Sequence, residues 1–276
     1  MSSCEIAVNP ERGAIDSSLQ NQSNEESMLR PTFMRLMEEK NERLLREIED
    51  SEPYQTIMRP EATHCDITTI LKYILLEVFS YGPHLAGATR LAISRLKQLH
   101  PELVKRMFFN DLEKVDRGHL ALKDFVQLGG NEQWARARQM TPESQKLAAT
   151  CHSLAAQESP FACLGYLYLI EALTPVIISR LQVVLAVKGF PAGARHFIDS
   201  HATEDIADAK AIHGLINRVV RDIRATAPTI EYGFDRVAAV YPLPIWQAAL
   251  RHARTELDKG TRWPEQSGQI HNNSGA

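Results

Sequence analysis

Three stretches of the chain carry histidines and carboxylates at spacings that bring them together on a helix. In HATEDIAD, with about 3.6 residues per turn, Asp205 falls roughly 40° from His201 and Asp208 roughly 20° to its other side. Phe197, Ile198, Ile212, Leu215 and Val219 share that face, so a His-Asp-Asp cluster points where the helix should meet a core. Between 101 and 127, His119 shares a stripe with Phe108, Leu112, Val115, Leu122 and Val126. Asp116 lies roughly 60° from His119 and Glu113 roughly 120°, which makes Glu113 the poorer partner on geometry. In YLYLIEALTP, Glu171 sits among Leu164, Leu167, Tyr168, Ile178 and Leu185, with Gln182 the other polar residue of that stripe. Glu77, in ILLEVFSY, lies among Ile70, Tyr73 and Ile74.

A carboxylate on an apolar stripe is costly unless it is paired, protonated or bound to a metal. Asp116, Glu171, Asp205 and Asp208 supply carboxylates and His119 and His201 supply imidazoles, a donor set that suits a pair of iron or manganese ions in a helical bundle. Carboxylates tolerate the ferric state and bridge two ions, while imidazoles complete the set and leave positions open for dioxygen. Glu77 and Tyr168 are the candidates for pocket groups that move protons near a substrate. Each member has a plainer role to weigh. His119 suits a hydrogen-bonded core histidine, Glu171 a partner of Arg180 or Arg195, and Glu77 a core ion pair. Tyr81, Tyr166 and Tyr168 suit core or pocket wall.

These residues need long helices to hold them, and the pattern is helical almost throughout. An amphipathic helix follows Pro31. Others are predicted over 66–81, with Asp66 as N-cap and Gly82-Pro83 as a break, and over 84–98 and 101–127, the last closed by Leu128-Gly129-Gly130. Shorter helices cover 131–139 and 142–157. Long ones cover 160–187 (kinked at Pro175), 194–226 and 229–258, with Pro228 separating the last two. Hairpin turns, alternating strands and repeats are absent from the sequence. The expectation is an all-α bundle of seven or eight helices over 30–263, with tails at 1–29 and 264–276 that are poor in apolar residues.

With 31 basic and 34 acidic residues, the net charge of −3 offers no field for nucleic acid. Cys4, Cys65, Cys151 and Cys163 form no C-x-x-C pair, which fits a reduced, cytoplasmic protein. The N-terminus lacks the apolar core of a signal peptide, and charges such as Glu77 and Glu171 interrupt the apolar runs, so no membrane span is expected. There is no phosphate-binding glycine loop and no nucleophile elbow. An acidic helical bundle of this size also suits a homodimer.

The order of motifs, D-x-x-H at Asp116 and His119, then Glu171, then H-x-x-x-D at His201 and Asp205, resembles the haem-oxygenase-like diiron oxidases. The turn ALKDFVQLGG after His119 is similar to the one that ends the corresponding helix in that superfamily. The resemblance spans roughly 66–258. It implies two Fe(II) ions, dioxygen, and a small substrate such as an amino acid or fatty acid, undergoing N-oxygenation, desaturation or oxidative C–C cleavage with electrons from an external donor. It places His119, Glu171, His201 and Asp205 on ligand positions. This chain departs from the pattern at Asp208, where the family usually has His, and at Leu112, where it commonly has Glu. A metal-independent enzyme of the same fold and a non-catalytic helical binding protein are the alternatives.

Overall fold

A computed structural model describes residues 33–101, 118–156 and 159–259, the side chains of 203–208, 258 and 259 excepted. Among the described residues there are ten α-helices and no strand. They are α1 (33–49), α2 (Glu52–Met58), α3 (His64–Leu99), α4 (Gly118–Gln127), α5 (Glu132–Ala137), α6 (Pro142–Ala156), α7 (Ala162–Val187), α8 (His196–Asp222), α9 (Ala227–Ala238) and α10 (Leu243–Lys259).

Two long helices organise the bundle. The apolar α7 packs between α8 and α9, while α3 packs against α4, α6 and α10. The halves meet where α6 touches α7 and where α4 touches α8. The α7–α9 contact is unusually close because Gly165 and Gly233 lie at it. A Cβ on Gly165 would fall on the Ile230 carbonyl oxygen and 2.6 Å from the Phe234 nitrogen. One on Gly233 would fall on the Ala162 carbonyl oxygen. Lys40 of α1 holds that helix to α9, 2.7 Å from both Glu231 and Asp235.

Several boundaries differ from expectation. The break at Gly82-Pro83 does not occur, and α3 runs for 36 residues with Pro83 inside it. Proline forfeits one backbone bond there, but Leu76 and Tyr81 before it and Leu85 and Ala88 after it are all buried, so packing carries the helix through. The N-cap of α3 is Thr63 rather than Asp66. The Thr63 hydroxyl accepts the Asp66 N–H at 3.1 Å, and the Asp66 carboxylate accepts the Thr63 N–H at 3.2 Å, a reciprocal capping box. The span expected over 229–258 is two helices, parted at a cis Tyr241–Pro242 bond. Pro228, expected as a separator, instead opens α9, where a missing N–H costs nothing. At the end of α4, Gly129 takes φ 85° and lets the Gly130 N–H reach the Phe125 carbonyl at 2.9 Å, as the Leu-Gly-Gly signal predicts.

Among the described residues α7 alone is long and apolar enough to cross a membrane, which corrects the expectation that no segment is. Only Glu171 and Arg180 are charged within its 26 residues. Its buried residues pack it into the bundle between α8 and α9.

Candidate metal centre

His201 stands in the second turn of α8, and the start of that helix explains its setting. Arg195 occupies the N-cap position and offers no side-chain acceptor to the first turn, although exposed N–H groups there need one. The acceptor comes from α4. Asp124, fully buried, takes the Phe197 N–H on Oδ2 at 2.7 Å and faces His196 Nδ1 with Oδ1 at 2.9 Å. Lys123 Nζ lies 3.1 Å from His196 Nε2. An ammonium only donates, so Nε2 accepts and Nδ1 carries the hydrogen toward Asp124. Phe197 then holds His201 in two ways. Its carbonyl accepts His201 Nδ1–H at 2.8 Å, and its ring centroid lies 4.1 Å from the imidazole. With Nδ1 protonated, the neutral form of the ring has its lone pair on Nε2, the arrangement of a histidine presented to a metal.

Glu171 is 9% exposed on α7, a helix whose other buried residues are mostly apolar. It lies close enough to Tyr166 to act on it. Burial, the Cys163 and Cys151 thiols and the Glu171 carboxylate together hold that phenol protonated well beyond its usual range. The α7–α8 hairpin is antiparallel, and its register is marked by Gln182 Nε2 donating to Asp199 Oδ1 at 2.9 Å. Counting back at about 1.5 Å per residue puts Glu171 level with the α8 backbone near position 210. The backbone of Asp208 is therefore nearer to it in height than that of His201.

The other predicted ligands are distributed as follows. His119 is exposed on α4. The buried face of that helix is centred on Ala121 and Phe125, together with Gly118, Leu122 and Asp124, rather than on the Leu122–Val126 stripe. The rotation turns Asp124 inward to α8. Asp116 and Glu113 lie outside the described residues, as do the side chains of Asp205 and Asp208. Among the described residues no three His, Cys, Asp or Glu side chains converge. Glu171 and His201 are nevertheless donors of fitting kinds, set at different heights along the hairpin. One is a buried carboxylate and the other an imidazole whose Nδ1 is held by the Phe197 carbonyl, and both kinds of donor suit iron or manganese.

Glu77 forms a closed core ion pair. Its carboxylate is 0% exposed and accepts from Arg138 Nη2 at 2.8 Å, Thr141 Oγ1 at 2.5 Å and Ser144 Oγ at 2.6 Å. Thr141 also caps α6 by accepting the Ser144 N–H at 3.3 Å. With its lone pairs committed, Glu77 is placed to hold α3 to the start of α6 rather than to meet a substrate. Tyr168 is buried against Phe234, and burial first, then the charges of Glu38 and Glu42 on α1, push its phenol up to about 12. It therefore faces α1 and α9. The sequence pattern did not single out Asp124 or Arg138. The missing cap residue at 195 was the available signal for the first, and nothing local marks the second.

The Glu77 network continues along the α3–α10 seam. Lys72 lies 3.6 Å from Glu256, and Tyr73 stacks on His252 at 5.6 Å. Burial first, and then the Arg138 charge, lower the pKa of His252 from 6.5. A histidine depressed by folding stabilises the protein above its unfolded value and withdraws that stability as pH falls through its folded value. Urea midpoints should therefore drop as pH falls below 6.5, and His252→Gln should flatten that drop. An unchanged acid profile in the variant would assign it to other groups.

No family model and no curated protein matches the sequence. The chain is similar to a solved domain of unknown function with a haem-oxygenase-like fold from Shewanella denitrificans. The two are 17% identical with a TM-score of 0.67, over 83% of this chain and 96% of that one. This chain has the haem-oxygenase-like fold. Likeness at that identity carries architecture and not activity. Within the haem-oxygenase-like bundle, Glu171 and His201 fall on the hairpin formed by its most apolar helix and the helix that follows.

Proposed function

We propose that the chain is a non-haem iron oxidase or oxygenase that uses dioxygen on a small organic substrate. The observation that carries this is the α7–α8 hairpin. A buried Glu171 on one arm sits across from a helix whose His201 has Nδ1 tied to the Phe197 carbonyl. Asp205 and Asp208 share the His201 face by sequence, and Asp116 or, less directly, Glu113 would complete the set for two Fe(II) ions, whereas the outward-facing His119 is not placed to join it. When bound, such a pair supplies the electrons and open coordination positions that activate dioxygen.

The chain's own residues supply the setting. The Phe197 ring shields one side of the His201 imidazole, and its carbonyl keeps the lone pair on Nε2. Tyr166 stays protonated within range of Glu171 and is anchored by Thr89, so it holds its proton rather than competing for metal. A small amino acid or fatty acid, with an external electron donor, is the substrate class that suits this reading.

Anaerobic Fe(II) titration of the full chain tests it. Up to two irons per chain are expected, with at least one lost in both His201→Ala and Glu171→Ala; air would then be admitted with amino and fatty acids present. If wild type takes up neither Fe(II) nor Mn(II), even with those candidates added, the proposal fails. Turnover that survives chelation would identify a metal-independent enzyme of this fold. Stable apolar variants of His201 and Glu171 in a chain that binds no metal would identify a binding protein.

A further inference from the structure

We infer that Asp124 is a positioning residue for the His201 imidazole, acting through Phe197. Asp124 belongs to α4 and His201 to α8, and the two side chains are linked by one residue. The Phe197 N–H ends on Asp124 Oδ2 at 2.7 Å, and the Phe197 carbonyl receives His201 Nδ1–H at 2.8 Å. The Phe197 ring adds a third contact, with its centroid 4.1 Å from the imidazole.

The strength of this link comes from its surroundings. A fully buried carboxylate that receives a backbone N–H makes a charge-assisted bond, stronger than one between neutral groups. Its second oxygen is held by His196, whose other nitrogen is held by Lys123 of α4. The carboxylate therefore has little freedom to rotate away. Arg195 provides no competing cap. Where the first turn of α8 sits, and hence where the Phe197 carbonyl and ring meet His201, is set by a carboxylate five residues beyond His119 on α4. One side chain thus fixes the first turn of the helix that carries His201 against α4. Outer partners of this kind orient metal-binding histidines and set their tautomer.

The inference deepens the iron reading and rests on it for its purpose, but its geometry is testable in the metal-free chain. Nitrogen-15 histidine labelling of the full chain at mildly alkaline pH reads the tautomer of neutral His201, with His201→Gln to assign the signal. Wild type is expected to carry the proton on Nδ1, the less favoured form of free histidine. Asp124→Ala should shift His201 toward the Nε2–H form and weaken Fe(II) binding about 10- to 100-fold. Asp124→Asn, which retains an acceptor for the Phe197 N–H, should keep the wild-type tautomer and recover most of the affinity. A wild-type His201 protonated on Nε2 overturns the inference even if Asp124→Ala fails to fold. So does a folded Asp124→Ala with an unchanged tautomer. Wild type that binds no iron but shows the expected tautomer shift would overturn the iron reading alone.

Discussion

Gly165→Ala is expected to lower the unfolding free energy by about 3 kcal/mol or more, one of the largest single-residue effects in the molecule. Alanine is a better helix former than glycine by about 1 kcal/mol, so propensity alone predicts the opposite sign. What decides the outcome is what the new methyl meets. It would fall on the Ile230 carbonyl and 2.6 Å from the Phe234 nitrogen, both backbone atoms of α9. A flexible side chain could swing aside, but a helix backbone must move as a unit. Moving it opens the contact along Leu169, Ile230, Phe234 and Val237, all buried. Gly233→Ala attacks the same contact from α9 through the Ala162 carbonyl. Once the helices have parted for one methyl, the second should cost less. The double variant is therefore expected to be less destabilised than the sum of the singles. Urea denaturation followed by circular dichroism measures all three. A Gly165→Ala chain as stable as wild type would mean that α7 and α9 do not approach this closely.

Glu77→Ala should cost about 3–5 kcal/mol, the range for stranding one member of a buried ion pair. The loss is spread over three donors, because Arg138, Thr141 and Ser144 all end on this carboxylate. Arg138 already has one nitrogen, Nη1, buried with no hydrogen-bond partner among the described residues, so removing Glu77 leaves it worse served. Glu77→Gln keeps acceptors but removes the charge and should fall between wild type and alanine. Replacing the pair together, Glu77→Leu with Arg138→Met, is expected to recover much of the loss, since neither charge then needs a partner. Melting temperatures of the four proteins test this. The ion-pair account fails if Glu77→Ala alone melts within a degree or two of wild type.

The fold class was legible because helix periodicity is strong wherever one face is buried, as in the Phe197, Ile212, Leu215 and Val219 stripe of α8. Boundaries were harder wherever tertiary packing outweighed a local signal. Pro83 reads as a stop, yet buried residues before and after it carry α3 onward. The site was partly legible. The pattern marks Glu171 as a buried carboxylate, and burial agrees. It also puts His119 on a core stripe, whereas the helix is turned so that Asp124 points inward and His119 outward. A stripe average cannot foresee that, because the rotation is set by one polar contact between residues 73 positions apart. Glu77 shows the same limit: its burial was visible in the sequence, but its partners on the α5–α6 connection were not.

The borrowed cap of α8 also bears on how the chain acquires its structure. A helix that carries its own cap can begin to form while its neighbours are still unfolded. The first turn of α8 has no such autonomy, because its acceptor arrives with α4 across a long loop whose closure costs entropy. The His201 end of the hairpin should therefore gain order late, with the docking of α4, rather than early with the local α7–α8 contact. Opening should follow the same route in reverse, so the Phe197 amide should exchange with solvent whenever α4 lifts, well before the α7–α8 pair comes apart. Tying the amide, the carbonyl and the imidazole to one long-range contact makes the arrangement of His201 an all-or-none property of the assembled bundle.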